Sequence, residues 1–139
     1  MDRRHQIVLI GGEDGEQAVF AEDSSHGTCK LTCAYRGKTI EAEASDFFEA
    51  LCLVRHQLEP EGLIPFCYGA SLNVYPSGMA RDMGRGLKAY RLTKGKSVNG
   101  ADIVETFGTG PDVVPASVQA QETFWREWLS APPRVAPRP

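Results

Sequence analysis

The sequence predicts an α+β fold in a single domain: an antiparallel β-sheet of about six strands packed with two main helices. Three observations carry this. Apolar runs with a period of two fill the first 45 residues. Two longer stretches, 46–59 and 116–130, repeat their apolar residues at helical spacing. The chain has 139 residues, enough to bury its own core without metal or disulfide staples and short for two domains.

The elements follow in order. Residues 6–10 (QIVLI) form a short β run that the turn-rich GGEDG ends. Residues 16–22 (EQAVFAE) are the second strand. In residues 28–35 (TCKLTCAY), Cys29, Leu31, Cys33 and Tyr35 share one face and Thr28, Lys30 and Thr32 the other. RGK turns the chain into 39–44 (TIEAEA), which alternates again, and the four runs make an antiparallel meander. Ser45 or Asp46 caps the first helix, and Glu49 three places after Asp46 fits a capping box. Phe47, Leu51, Val54 and Leu58 then share a face, with Phe48 and Cys52 beside them, and Pro60 and Gly62 stop the helix.

Residues 63–75 are apolar with little alternation, which predicts a buried extended segment; Pro65 places it at a sheet edge or interrupts it there. A strand is expected in 86–96, with 101–107 as its partner. The second helix, 116–130, presents Val118, Trp125 and Leu129 with Phe124 and Trp128 adjacent, a stripe that should face the core. The domain therefore spans 1–130, and the proline-rich 131–139 (APPRVAPRP) reads as a disordered tail.

Composition limits the functions. A net charge of -3 argues against nucleic acid as the main partner. No run approaches the roughly 18 apolar residues of a bilayer span, so a membrane partner is not expected. The start of the chain lacks a signal-peptide pattern, which implies a cytoplasmic protein with reduced thiols. Acidic residues crowd the first third, while Arg81, Arg85, Lys88, Arg91, Lys94 and Lys96 face only Asp82 in the middle. Such asymmetry fits either solvated faces or a patch that steers a charged macromolecule.

Motifs for chemistry are absent or misplaced. Gly11, Gly12 and Gly15 do not make G-x-G-x-x-G, and Glu13 and Asp14 would repel a phosphate. His26, Cys29, Cys33 and Cys67 suggest a zinc site, but four residues along a strand put Cys29 and Cys33 about 13 Å apart. Zinc holds each sulfur at about 2.3 Å, so no metal or other cofactor is expected. His5, His26 and His56 sit in no catalytic motif, His56 reads as a surface residue, and no G-x-S-x-G occurs. No catalytic residue is assigned.

The most unusual stretch is 73–90 (NVYPSGMARDMGRGLKAY). One helical turn between Gly78 and Gly84 would place Met79 and Met83 at i, i+4. Methionine adapts to many surfaces, and Tyr and Arg are enriched at interface hot spots. The methionines either meet a partner or plug the core beneath a loop. Partner contacts are assigned to Tyr75, Met79, Arg81, Asp82, Met83 and Arg85, with Glu13, Asp14 and Glu16 as a second surface. On this reading Arg81→Glu weakens partner capture while leaving thermal stability nearly unchanged.

Two strings, FCYGASLNVYPSGMARDMGRGLKAY (66–90) and DIVETFGTGPDVVPASVQAQETFWREWL (102–129), resemble in content and order a group of small bacterial proteins encoded beside Rhs-type polymorphic toxins, of the type VI-delivered kind. The likeness covers roughly 47–129. It implies an immunity protein: a non-enzymatic antitoxin that binds the cognate toxin domain and occludes its active site. Two other expectations stand beside it. One is an effector chaperone or adaptor that binds a secreted toxin without inhibiting it. The other is a small enzyme with a site around Tyr68, Tyr75 and Arg81.

Overall fold

The computed structural model describes residues 3–24 and 27–131. β1 (Arg3–Ile10), β2 (Gln17–Asp23), β3 (Cys29–Tyr35) and β4 (Lys38–Ala44) form the expected antiparallel meander. β5 (Ile64–Pro65) adds to the free side of β1, giving the order β4-β3-β2-β1-β5. Pro65 thus stands on an edge strand, where its missing N–H breaks no ladder.

The period of two decides which residues go in. Ile7, Leu9, Ala18, Phe20, Leu31, Cys33, Ile40 and Ala42 are buried on one face. α1 (Phe47–Leu58) crosses that face and contributes Phe47, Leu51, Val54 and Leu58 to the same core, each worth about 1.5–3 kcal/mol of apolar burial. The side chain of Asp46 caps α1 by accepting from Glu49 N at 2.8 Å. Gly62, with φ 74°, turns the chain out of the following 3-10 turn in a left-handed conformation.

The remaining strands form a second, three-stranded antiparallel sheet, where the sequence suggested one sheet throughout. It consists of β6 (Val74–Tyr75), β7 (Lys88–Arg91) and β8 (Ile103–Glu105), in that order. Its buried side chains, Val74, Ala89 and Val104, join Tyr68 and Val113 in a smaller core. α2 (Gly78–Asp82) links β6 to β7, and α3 (Val118–Ser130) closes the structure.

α1 is covered on two sides. Phe48, Cys52 and Arg55, at i, i+4, i+7, are all buried on a second face. Phe48 meets Tyr75 of β6 edge-on at 5.0 Å, and Arg55 reaches Gln121 of α3. α3 departs from its expected stripe: Gln121 is its buried residue, whereas Leu129 is 56% exposed. Ala131 ends α3, and the rest of the proline-rich tail, 132–139, lies outside the described residues.

Candidate protein-docking site

α2 is five residues long and too short to hold itself together. Its neighbours hold it. The Ser77 hydroxyl caps it by accepting from Ala80 N at 3.0 Å. Arg81 leans back on α1, with Nη1 at 3.5 Å from Asp46 Oδ2 and 3.7 Å from Glu49 Oε2. Its guanidinium also lies 5.1 Å from the Phe48 ring centre and 5.4 Å from that of Tyr75. Downstream, Arg85 and Gly86 are both left-handed, at φ 56° and 69°. This corner brings Arg85 O to Phe47 N at 2.7 Å, satisfying an orphan amide at the start of α1. Gly86 is required: a Cβ there would stand 2.6 Å from Asp46 Oδ1 and 2.8 Å from Phe48 N.

So fixed, α2 turns its methionines outward. Met79 is 71% exposed and Met83 81%, so they do not plug the core. Between α2 and the outer face of the small sheet runs a groove of about 450 Å³, lined by Met79, Ala80, Met83, Leu87, Tyr90 and Ile103, with Arg3, Lys88 and Glu105 at its polar margin. The sheet's parity makes this face: Tyr75, Tyr90 and Ile103 are register partners across the three strands and point away from the core that Val104 and Ala89 fill. Beyond Tyr90 and Ser77 the apolar surface continues into a cleft of about 270 Å³ between Pro76, Leu92, Val98, Trp125, Trp128 and Leu129.

At the other end, Arg3, Leu87 and Glu105 also line a smaller cavity of about 140 Å³ with His5, Glu22 and Phe107. Here His5 Nε2 meets Glu22 Oε2 at 2.6 Å, and the His5 ring stacks on Phe107 at 4.8 Å. Glu22 is 6% exposed. Both residues sit at inward positions of their strands, in phase with Ile7 and Leu9 and with Ala18 and Phe20. A charged residue on the apolar parity of a strand is a signal visible in the sequence, and it marks this pair.

The nominated contact residues divide sharply. Met79, Asp82, Met83 and Arg85 are exposed. Tyr75 and Arg81 are occupied inside the molecule: Tyr75 stacks on Trp125 at 4.4 Å, and burial pushes its hydroxyl pKa up. Tyr68, nominated for an enzymatic site with them, is buried and donates to Asp112 Oδ1 at 2.6 Å. The structure does not bring these three into one open pocket; Tyr68 lines neither the groove nor the adjoining cleft and cavity.

Glu13, Asp14 and Glu16 lie at the far end of β1 from α2, beyond an eight-residue strand. Glu16 is held by Arg36 at the β3–β4 turn, at 2.5 Å and 2.9 Å, and that contact lowers its carboxyl pKa. The two nominated surfaces are therefore separate. The basic run is partly neutralised as well: Arg91 pairs with Asp112 and Lys94 with Glu127, both at 2.6 Å.

All four cysteines are buried free thiols. Burial pushes Cys33 up to about 12, and Cys52 and Cys67 up to about 11, which makes them poor nucleophiles at neutral pH. Among the described residues no group of three His, Cys, Asp or Glu is placed to hold a metal ion; His26 lies outside them. No helix among the described residues is long and apolar enough to cross a membrane. No known family model matches the chain, and no curated protein matches it either.

Proposed function

We propose that the chain is a cytoplasmic immunity protein that captures a cognate polymorphic toxin through the α2 groove and blocks its active site by covering it. The observation that carries the reading is the outward display of Met79 and Met83 over an apolar groove, on a helical turn anchored by the Ser77 cap and by Arg81 on α1. Covering exposed methionines removes apolar surface from water at some cost in rotamer freedom, and their flexible side chains adapt to the surface that covers them. A pre-fixed turn loses little further conformational entropy on binding. The resemblance of 66–90 and 102–129 to proteins encoded beside Rhs-type toxins supplies the class of partner.

The test is co-expression with the toxin domain encoded beside the gene. Cells carrying the chain should survive, and a Met79→Glu/Met83→Glu variant should lose protection while its melting temperature stays within a few degrees of the parent's. Equal killing with and without the chain defeats the proposal. An adaptor, by contrast, would form the complex and leave the purified toxin active.

One observation favours a second reading. His5 held by the buried Glu22 in an open cavity has the form of an oriented general base. Within that cavity no Ser, Cys or Thr nucleophile lines the wall, so the pair would act on water or on a ligand proton. Protection that survives Met79→Glu/Met83→Glu and fails in His5→Gln would favour it.

A further inference from the structure

We infer that the segment seated in the α2 groove is acidic: a stretch of the partner protein with two or more apolar side chains flanked by carboxylates. This rests on the docking reading above and adds the partner's chemistry to it. The apolar floor alone would accept many sequences. The charges at its margin are selective.

Of the cations near the groove, Arg81 is engaged by Asp46 and Glu49. Arg3, Lys88 and Arg85 have no carboxylate within ion-pair distance among the described residues. Arg3 and Lys88 line the groove itself. Arg85 stands just outside it, its side chain donating to the Ser24 hydroxyl at 2.8 Å. Against these three cations stand two carboxylates: Glu105 in the lining, the register partner of Lys88 on β8, and Asp82, exposed on α2 and, like Arg85, outside the lining.

In water these cations are well solvated and cost nothing. A partner that covers the groove strips part of that water. A neutral or basic segment leaves them desolvated and unpaired, which is unfavourable. An acidic segment replaces the lost water with charge-assisted hydrogen bonds and is drawn in faster. Arg3 also borders the His5–Glu22 cavity, so a carboxylate at that end of the segment meets a guanidinium rather than the buried Glu22 carboxylate.

The experiment is selection of a random peptide library, displayed on phage, against the full chain at low salt. Enriched sequences should combine at least two apolar residues with net negative charge. A synthetic peptide of the consensus should bind roughly tenfold more weakly to Arg3→Glu and to Lys88→Glu, lose binding to Met79→Glu, and weaken as salt is raised. Failure to enrich any sequence, enrichment of basic or neutral ones, or binding indifferent to both charge reversals would overturn the inference.

The two proposals fail separately. If Arg3→Glu/Lys88→Glu still neutralises the neighbouring toxin, the acidic chemistry falls and the docking reading stands. If acidic peptides bind as expected but the chain never protects against that toxin, the toxin reading falls and the acidic segment stands.

Discussion

Arg55 is 1% exposed, and among the described residues no carboxylate lies within ion-pair distance of it. Its Nη1 donates to Gly69 O at 3.0 Å and Gln121 Oε1 at 2.6 Å, and its Nη2 to Ala116 O at 2.9 Å. Its Nε meets no hydrogen-bond acceptor among the described residues. Burial lowers its pKa, but a guanidinium starts so far above neutrality that it stays charged. Gln121 completes the node, its Nε2 lying within hydrogen-bond distance of Gly69 O, Ser71 O and Val74 O at 2.8–3.0 Å. The two side chains thus tie α1, β6 and α3 together through backbone carbonyls. Gln121→Ala leaves Arg55 its bonds to Gly69 O and Ala116 O, but it removes the Oε1 acceptor and the donor that serves three carbonyls, so with several buried polar groups losing a partner it should cost about 3–5 kcal/mol. Arg55→Met removes the charge with its partners' bonds and should cost less, about 1–3 kcal/mol. Urea unfolding of both variants checks the order; a costlier Arg55→Met would mean that the bonds Arg55 makes matter more than those Gln121 makes. In the sequence, Gln121 lies between Val118 and Trp125 on the helical period, the centre of the inward face. A polar residue there looks like a break in the stripe, which is why Leu129 was an attractive substitute. The residue is inside because the carbonyls it serves belong to strands and turns some fifty positions away, beyond the reach of periodicity.

α2 shows how an element can be legible while the roles of its residues are not. The glycines at 78 and 84 bracket one turn in the sequence, and Gly78–Asp82 is that turn, with Ser77 capping it in the structure. Arg81 looked like a contact residue because its charge partners lie 35 and 32 positions upstream on α1. The expectation that Arg81→Glu leaves stability nearly unchanged therefore does not survive the structure: a carboxylate there would face Asp46 and Glu49. Arg81→Glu should lower stability by about 1–2 kcal/mol, combining the lost pair and cation–π contacts with like-charge repulsion. Gly86→Ala should cost at least as much, since its Cβ would meet the Phe48 backbone amide in a left-handed corner. Met79→Glu, on the open side of the same turn, should leave the unfolding midpoint nearly unchanged. Melting curves of the three separate anchor from display; a Met79→Glu loss equal to that of Arg81→Glu would put the methionine in the packing instead. The meander was readable for a different reason. Its four strands are seven or eight residues long and alternate cleanly, whereas β6, β7 and β8 have two, four and three residues. Runs that short carry no period, so the sequence showed β7 pairing with β8 but not that they form a sheet of their own.

Across the whole molecule, Cys33 and Tyr35 on β3, Cys52 on α1 and Cys67 beyond β5 carry large upward pKa shifts, and together they set its alkaline limit. Cys33 is fully buried, and loss of hydration pushes its thiol from an ordinary 9.0 up to about 12. Cys52 and Cys67 rise to about 11 for the same reason. Tyr35 rises from 10.0 to about 12 because its hydroxyl donates to Glu61 Oε2 at 2.5 Å. All four hold their protons more tightly folded than unfolded. Their contribution is complete below about pH 8, where the unfolded thiols are still mostly protonated. Above that the unfolded thiols ionise first, the unfolded state binds fewer protons, and stability falls with rising pH until the folded groups titrate near pH 11 to 12. At pH 11, Cys33 alone accounts for about 2–3 kcal/mol of that loss, two units at 1.36 kcal/mol each. Urea midpoints should therefore be level from about pH 7 to 8, begin to fall near pH 9 and drop steeply beyond. Cys33→Ala weakens the core at every pH, since it removes a buried side chain, but it also deletes the most strongly shifted proton. Its stability should consequently run closer to the parent's at about pH 11 than at pH 7. If the two curves stay parallel across that range, Cys33 ionises as easily in the folded chain as in the unfolded one, and the dry, closed core beneath the meander is not what holds the four strands to α1.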